Sequence, residues 1–194
     1  MKTKLILAAV LAFGTFSLCA DEVTDTIEGA LSAYKKGEYS MAAEDLGYAL
    51  ELIKQKKGEN LKDYLPEPLA GWKAEAAEAQ TAGAGMMGGG TIVNRTYEKG
   101  EGRVKIEIVT DSPLMQSFAM VLANPAFATS DGGKLMRIGR QKAIVSYDAQ
   151  GHSGDIKMVV GNRFLVTVDG TAVSESDLVD YAKAIDLEKL TSMQ

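Results

Sequence analysis

The chain has 194 residues, of which 46% are hydrophobic and 24% charged, with 21 Lys+Arg against 26 Asp+Glu and a formal charge of −5. That length suits one domain, or one domain with a small appendage, and the composition excludes disordered and collagen-like classes. The acidic balance argues against a nucleic-acid partner, and one Cys with one His excludes thiolate zinc sites and disulfide frameworks.

Residues 1–20 carry Lys2 and Lys4, then an apolar and small-residue run, then Cys19-Ala20 before Asp21. A charged start, a short apolar core and a small exit residue predict a secretory signal peptide cleaved near Ala20. Its apolar run is about twelve residues, against roughly 20 for a membrane span, and no later stretch is longer, so no transmembrane segment is expected. Cleavage removes two lysines and no acid, taking the charge from −5 to −7. The expectation is a soluble protein exported to a bacterial periplasm. The alternative is a lipoprotein acylated on Cys19, for which Leu18 is a poor preceding residue.

Residues 21–64 read as two helices. Ile27, Leu31 and Tyr34 fall at helical spacing, Gly37 interrupts, and Met41, Ala42, Leu46, Ala49, Leu50 and Ile53 form a second stripe. Thr24 or Asp25 is a candidate cap for the first helix, and Lys54, Lys56 and Lys57 before Gly58 suit the negative end of the second. Ala30, Ala33-Tyr34-Lys35-Lys36-Gly37-Glu38-Tyr39, Ala42, Leu46, Ala49 and Leu50 together resemble one tetratricopeptide repeat. The resemblance implies small residues where the helices touch, so that Ala42 and Ala49 mark close contact. Gly29 stands where that family has a large apolar residue, and no Pro closes the second helix. There is no second copy, and such repeats are stable only when stacked. The hairpin must therefore lie against the rest of the chain or against a partner.

Residues 65–90 read as a linker. Pro66 and Pro68 forbid helix, residues 71–82 are ambiguous between an alanine-rich helix and a strand opening at Trp72, and residues 83–90 form a glycine-rich loop holding Met86 and Met87. From 91 to 194 an α+β sandwich is expected. Val104, Ile106 and Ile108 alternate with Lys105 and Glu107 as a half-buried strand, paired with residues 91–97 across a turn at 98–102. A helix is expected at 113–124, then strands near 134–138, 141–148, 155–161 and 163–169. Gly161-Asn162 marks a tight hairpin. Ser174 and Asp177 have capping-box spacing and open a final helix with Leu178, Ala182 and Ile185 on one face. The order of these elements resembles that of the exported PsbP-like α/β sandwich domains.

Four patterns look chemical. Gly83-Ala84-Gly85-Met86-Met87-Gly88 matches GxGxxG, but the residues after it read as a strand, so no nucleotide cofactor is expected. Gly151-His152-Ser153-Gly154-Asp155 departs from the nucleophile elbow at its fifth position and lacks the strand–turn–helix context. Met86, Met87, Met115 and Met120 are not spaced as a copper site, and gap-filling is the usual role of such methionines. Glu107 and Asp111, the only strand-based carboxylate candidates, fit solvated positions. No catalytic, cofactor or metal residues are therefore assigned.

The functional expectation is a non-enzymatic binding or accessory protein acting on another envelope protein. Tyr34, Tyr39 and Tyr48 are the candidate contacts on the hairpin, and Met86 and Met87 are an adaptable apolar tip. The alternative is a carrier holding a small apolar ligand between the sheet and the inserted helix, near Met115, Phe118 and Phe127. A hydrolase would need His152 brought to a Ser and a carboxylate from elsewhere.

Overall fold

A computed structural model describes residues 21–82, 90–112, 115, 120 and 132–193. The chain divides into two compact units, Met1–Ala49 and Leu50–Gln194, with the boundary inside the second helix. The fold is α+β: a helical hairpin, then a fully antiparallel eight-stranded sheet, then two terminal helices.

In the first unit, α1 (Glu22–Lys35) is capped by Asp21, whose side chain accepts from the Val23 N–H, and not by Thr24 or Asp25 as the sequence suggested. The connection to α2 (Tyr39–Lys62) turns at Gly37, whose φ of +82° is open to glycine without strain. Ala30, Ala33, Ala42 and Ala49 are buried. The bulky members of the same stripes, including Ile27, Leu31, Met41 and Leu46, are exposed. The buried members of these stripes are thus the alanines, and the larger side chains stay exposed.

In the second unit, α2 does not stop at Gly58 but continues to Lys62. A Cβ on Gly58 would meet the Ala79 Cβ at 3.0 Å and the Thr91 Cγ2 at 3.1 Å, so glycine is what allows the helix to lie this close. Mid-helix glycine costs about 1 kcal/mol, whereas burying Leu61 one turn later contributes about 1.5–3 kcal/mol. Burial wins, and the helix runs on.

The ambiguous stretch forms strands, β1 (Lys73–Ala74) and β2 (Glu78–Ala82), both on the edge of β3 (Gly90–Lys99). Alanine's helical preference is only a few tenths of a kcal/mol per residue over most side chains, and pairing five β2 residues with β3 outweighs it. β4 (Gly102–Thr110), β5 (Lys134–Ile138), β6 (Gln141–Asp148), β7 (Ser153–Val160) and β8 (Phe164–Thr171) complete the order β1-β3-β4-β8-β7-β6-β5. Val104, Ile106 and Ile108 point inward with Val166, Val168, Ile156 and Met158 beside them, as the alternation predicted. Gly161 and Asn162 both have positive φ, and the Arg163 N–H donates to the Val160 carbonyl at 3.1 Å, the mirror-image turn that suits strand twist.

α3 (Glu175–Ala184) and α4 (Leu187–Ser192) follow, and Leu178, Tyr181, Ala182, Leu187 and Leu190 join the core. The capping box at Ser174 and Asp177 is present; α4 was not anticipated. Trp72, Tyr97 and Tyr181 form an aromatic cluster, with Tyr181 4.5 Å from Tyr97 and 5.1 Å from Trp72 between centroids. The Tyr97 hydroxyl donates to the Pro66 carbonyl at 2.7 Å, which anchors the proline segment. Of the helix expected at 113–124, only Met115 (buried) and Met120 (exposed) are among the described residues.

Candidate functional site

The hairpin face is built from the flanks of two helices. At 100° per residue, Ile27, Leu31 and Tyr34 lie on one flank of the buried Ala30/Ala33 seam, and Glu22 and Asp25 on the other. On α2, Tyr39 and Leu46 lie to one side of Ala42 and Ala49, while Met41, Asp45 and Tyr48 lie to the other. Two contacts show how these flanks align. The Tyr34 and Tyr39 rings meet edge to face at 5.6 Å, and the Tyr48 hydroxyl donates to a Glu22 carboxylate oxygen at 2.7 Å.

The hairpin therefore has an apolar side made by Ile27, Leu31, Tyr34, Tyr39 and Leu46, and a polar side holding Tyr48. Tyr34 and Tyr39 are 62% and 65% exposed. Tyr48 is exposed too, but it does not share their face, and donating to the Glu22 carboxylate, with that carboxylate's charge close by, holds its phenol above the ordinary value. Of the three tyrosines expected as contacts, two come together and one is separate. Periodicity alone placed Ile27, Leu31 and Leu46 on apolar helical stripes without saying what those stripes face. The signal that would have placed them outside was the seven-residue spacing of Ala42 and Ala49, since small residues at the contact push large ones off it. Met86 and Met87 lie outside the described residues, as do Phe118 and Phe127.

A cleft of about 240 Å³ in the second unit is lined by Trp72, Lys99, His152, Ala172, Ser174 and Asp177. His152 (φ +47°) and Ala172 (φ +54°) are both left-handed, and the Val173 N–H donates to the His152 carbonyl at 2.9 Å. The Lys99 ammonium lies 5.5 Å from the Trp72 ring centroid and 3.9 Å from an Asp177 oxygen. A histidine, a serine and a carboxylate thus line one cleft, but their bonds are those of a helix cap. Ser174 Oγ donates to Asp177 Oδ2 at 2.5 Å and accepts from the Asp177 N–H at 3.2 Å. Partial burial raises the Asp177 pKa, and the Ser174 hydroxyl and N–H together with Lys99 more than reverse it, leaving the carboxyl below its usual range. A serine donating to a carboxylate in this way is not activated by an imidazole.

A second, open groove of about 800 Å³ lies between the β5–β6 turn and the α3–α4 junction, with Ile138, Arg140, Lys183, Ile185 and Leu187 among its walls. Among the described residues, no cluster of three or more His, Cys, Asp or Glu could hold a metal ion, and no helix is long and apolar enough to cross a membrane. No protein-family model matches the chain, and no curated protein matches it.

Proposed function

We propose that the chain is an exported, periplasmic accessory protein without enzymatic activity, which binds another envelope protein through the apolar side of its helical hairpin. The observation that carries this reading is the exposure of Ile27, Leu31, Tyr34, Tyr39 and Leu46 on one side of two helices whose buried side chains are alanines. Aromatic side chains of this kind supply the buried centre of an interface, and clustered apolar exposure on one surface marks a docking site more often than scattered single residues do.

The test is capture from an envelope extract of the native bacterium, comparing wild-type protein with the double variant Leu31→Glu, Tyr39→Glu. A stoichiometric protein retained by the wild type and lost from the variant supports the reading. Equal retention by both removes the hairpin from the interface. The 800 Å³ groove sustains a carrier reading, because its volume falls in the range of small-molecule sites. Native mass spectrometry of the purified protein would favour that reading by showing a small-molecule adduct with no protein partner.

A further inference from the structure

The β5–β6 hairpin is cationic in an acidic protein. Residues 132–147 contain Lys134, Arg137, Arg140 and Lys142 and no acid, although the whole chain carries −5. Lys134 is neutralised by Glu175, with its ammonium 2.9 and 3.0 Å from the two carboxylate oxygens. Arg137, Arg140 and Lys142 are exposed and form no ion pair among the described residues. Arg137 and Lys142 are also direct cross-strand partners, so they point out of the same face of the sheet side by side. Like charges opposed in this way destabilise a hairpin. A bound anion would remove that penalty.

The same element is the edge of the sheet among the described strands. β5 is the last strand in the order, and none of the described strands pairs with its far side. β5 and β6 are joined by the two-residue turn Gly139-Arg140, with Gly139 at φ +57°. The residues flanking such a turn form a hydrogen-bonded pair, which is Ile138 with Gln141 here. Hydrogen-bonded and non-hydrogen-bonded pairs alternate along an antiparallel ladder. Leu135 and Arg137 therefore direct their N–H and C=O groups away from β6, toward the side on which no described strand lies. Leu135 also has its side chain 42% exposed.

We infer that β5 receives an extended acidic segment of a partner protein as an added strand. Its backbone pairs with Leu135 and Arg137, and its carboxylates project from the sheet face that carries Arg137 and Lys142. Main-chain pairing supplies affinity and the cations supply selectivity for acid. This site is separate from the hairpin face and does not depend on it.

The experiment uses the full mature chain and an acetylated octapeptide of alternating Val and Glu, with a Val/Lys counterpart and a Val/Glu peptide N-methylated at alternate amides. Binding of the Val/Glu peptide is expected to slow amide hydrogen exchange at Leu135 and Arg137 and to weaken as salt rises. Arg137→Glu, Lys142→Glu should reduce affinity about tenfold or more. Leu135→Pro should abolish binding by removing an outward N–H while keeping the β5–β6 ladder, with folding verified by circular dichroism for each variant. Equal binding of the N-methylated peptide would reduce the site to bare electrostatics and overturn strand addition. Binding without new protection at Leu135 and Arg137 would overturn it also. Failure of wild type to bind the Val/Glu peptide would assign these cations to guarding the edge against self-association.

Discussion

Gly154 and Gly170 face each other across β7 and β8, and each makes room for a different neighbour. A Cβ on Gly170 would approach Leu178 Cδ2 and Val173 Cγ2 at 2.5 Å, both of them side-chain tips that can shift. A Cβ on Gly154 would come within 2.3 Å of the Ser146 carbonyl oxygen and 2.9 Å of the Tyr147 Cα, which are backbone and cannot. Gly154→Ala should therefore destabilise the protein by about 1–3 kcal/mol, read as a lower urea midpoint at unchanged slope. A midpoint equal to wild type would mean that β6 yields without cost. Asp169 is the converse case, a residue whose ionisation opposes folding. Asp169 is solvent-exposed, but partial desolvation by its sheet neighbours and the charge of Asp155 directly opposite raise its pKa, Glu107 adds to this, and Lys157 and Lys105 only partly offset it. A carboxyl with a folded pKa above its unfolded value gives stability at low pH that is lost as pH rises through the folded value. Asp169→Asn should thus stabilise at pH 7 by about 0.2–1 kcal/mol and give no gain near pH 3. Thermal melts at the two pH values check this, and a loss at pH 7 would show that the lysines dominate.

At the scale of the element, the cap of α3 joins local sequence to pH response. The Ser174 hydroxyl and the Asp177 carboxylate each satisfy the other's N–H, so Ser174→Ala should cost about 0.5–2 kcal/mol. The Asp177 carboxyl lies below its usual range, and the sign is opposite to that of Asp169. Its stabilisation is present above the unfolded value of about 3.9 and is lost as pH falls through the lower folded value. Asp177→Asn should flatten the acid limb of a stability–pH curve below about pH 4, and an unchanged limb would exclude this carboxylate as a contributor. The same cap was readable from sequence because Ser174 and Asp177 are three residues apart and need no distant partner. The inward alternation of β4 and the Gly161-Asn162 turn were readable for the same reason. β2 was not, because five residues containing three small side chains gain their conformation from β3. Nor was α4, whose six residues hold only Leu187 and Leu190 as periodic signal. The hairpin face was half legible: spacing identified the apolar residues, but only the alanine contact determines which side of it they occupy. The cationic edge was visible as a charge count over residues 132–147, and its meaning required knowing that β5 ends the sheet.

Across the whole molecule, the two units differ in how much apolar surface each removes from water. The second buries long aliphatic and aromatic side chains on one sheet face, with Tyr97, Tyr181, Phe164 and Ile106 fully enclosed. The buried apolar side chains of the first are Ala30, Ala33, Ala42 and Ala49, among its described residues. One methyl contributes about 0.8 kcal/mol at most, whereas ordering each backbone residue costs about 1–2 kcal/mol. Helix hydrogen bonds and the Asp21 cap offset part of that cost, but four alanines give the hairpin little reserve against local opening. Amides of α1, and of α2 as far as Ala49, should then exchange about 100-fold or more faster than those of β4, β7 and β8, a gap of about 2.7 kcal/mol in opening free energy. Native-state hydrogen exchange on the mature protein measures this directly. Equal protection in the two units would mean that the exposed side of the hairpin is already covered in solution, and a partner would then have no ordering left to supply. A fast-exchanging hairpin that becomes protected only when its partner is added would instead tie its weak core to its proposed role, since binding would contribute the apolar burial that alanine does not.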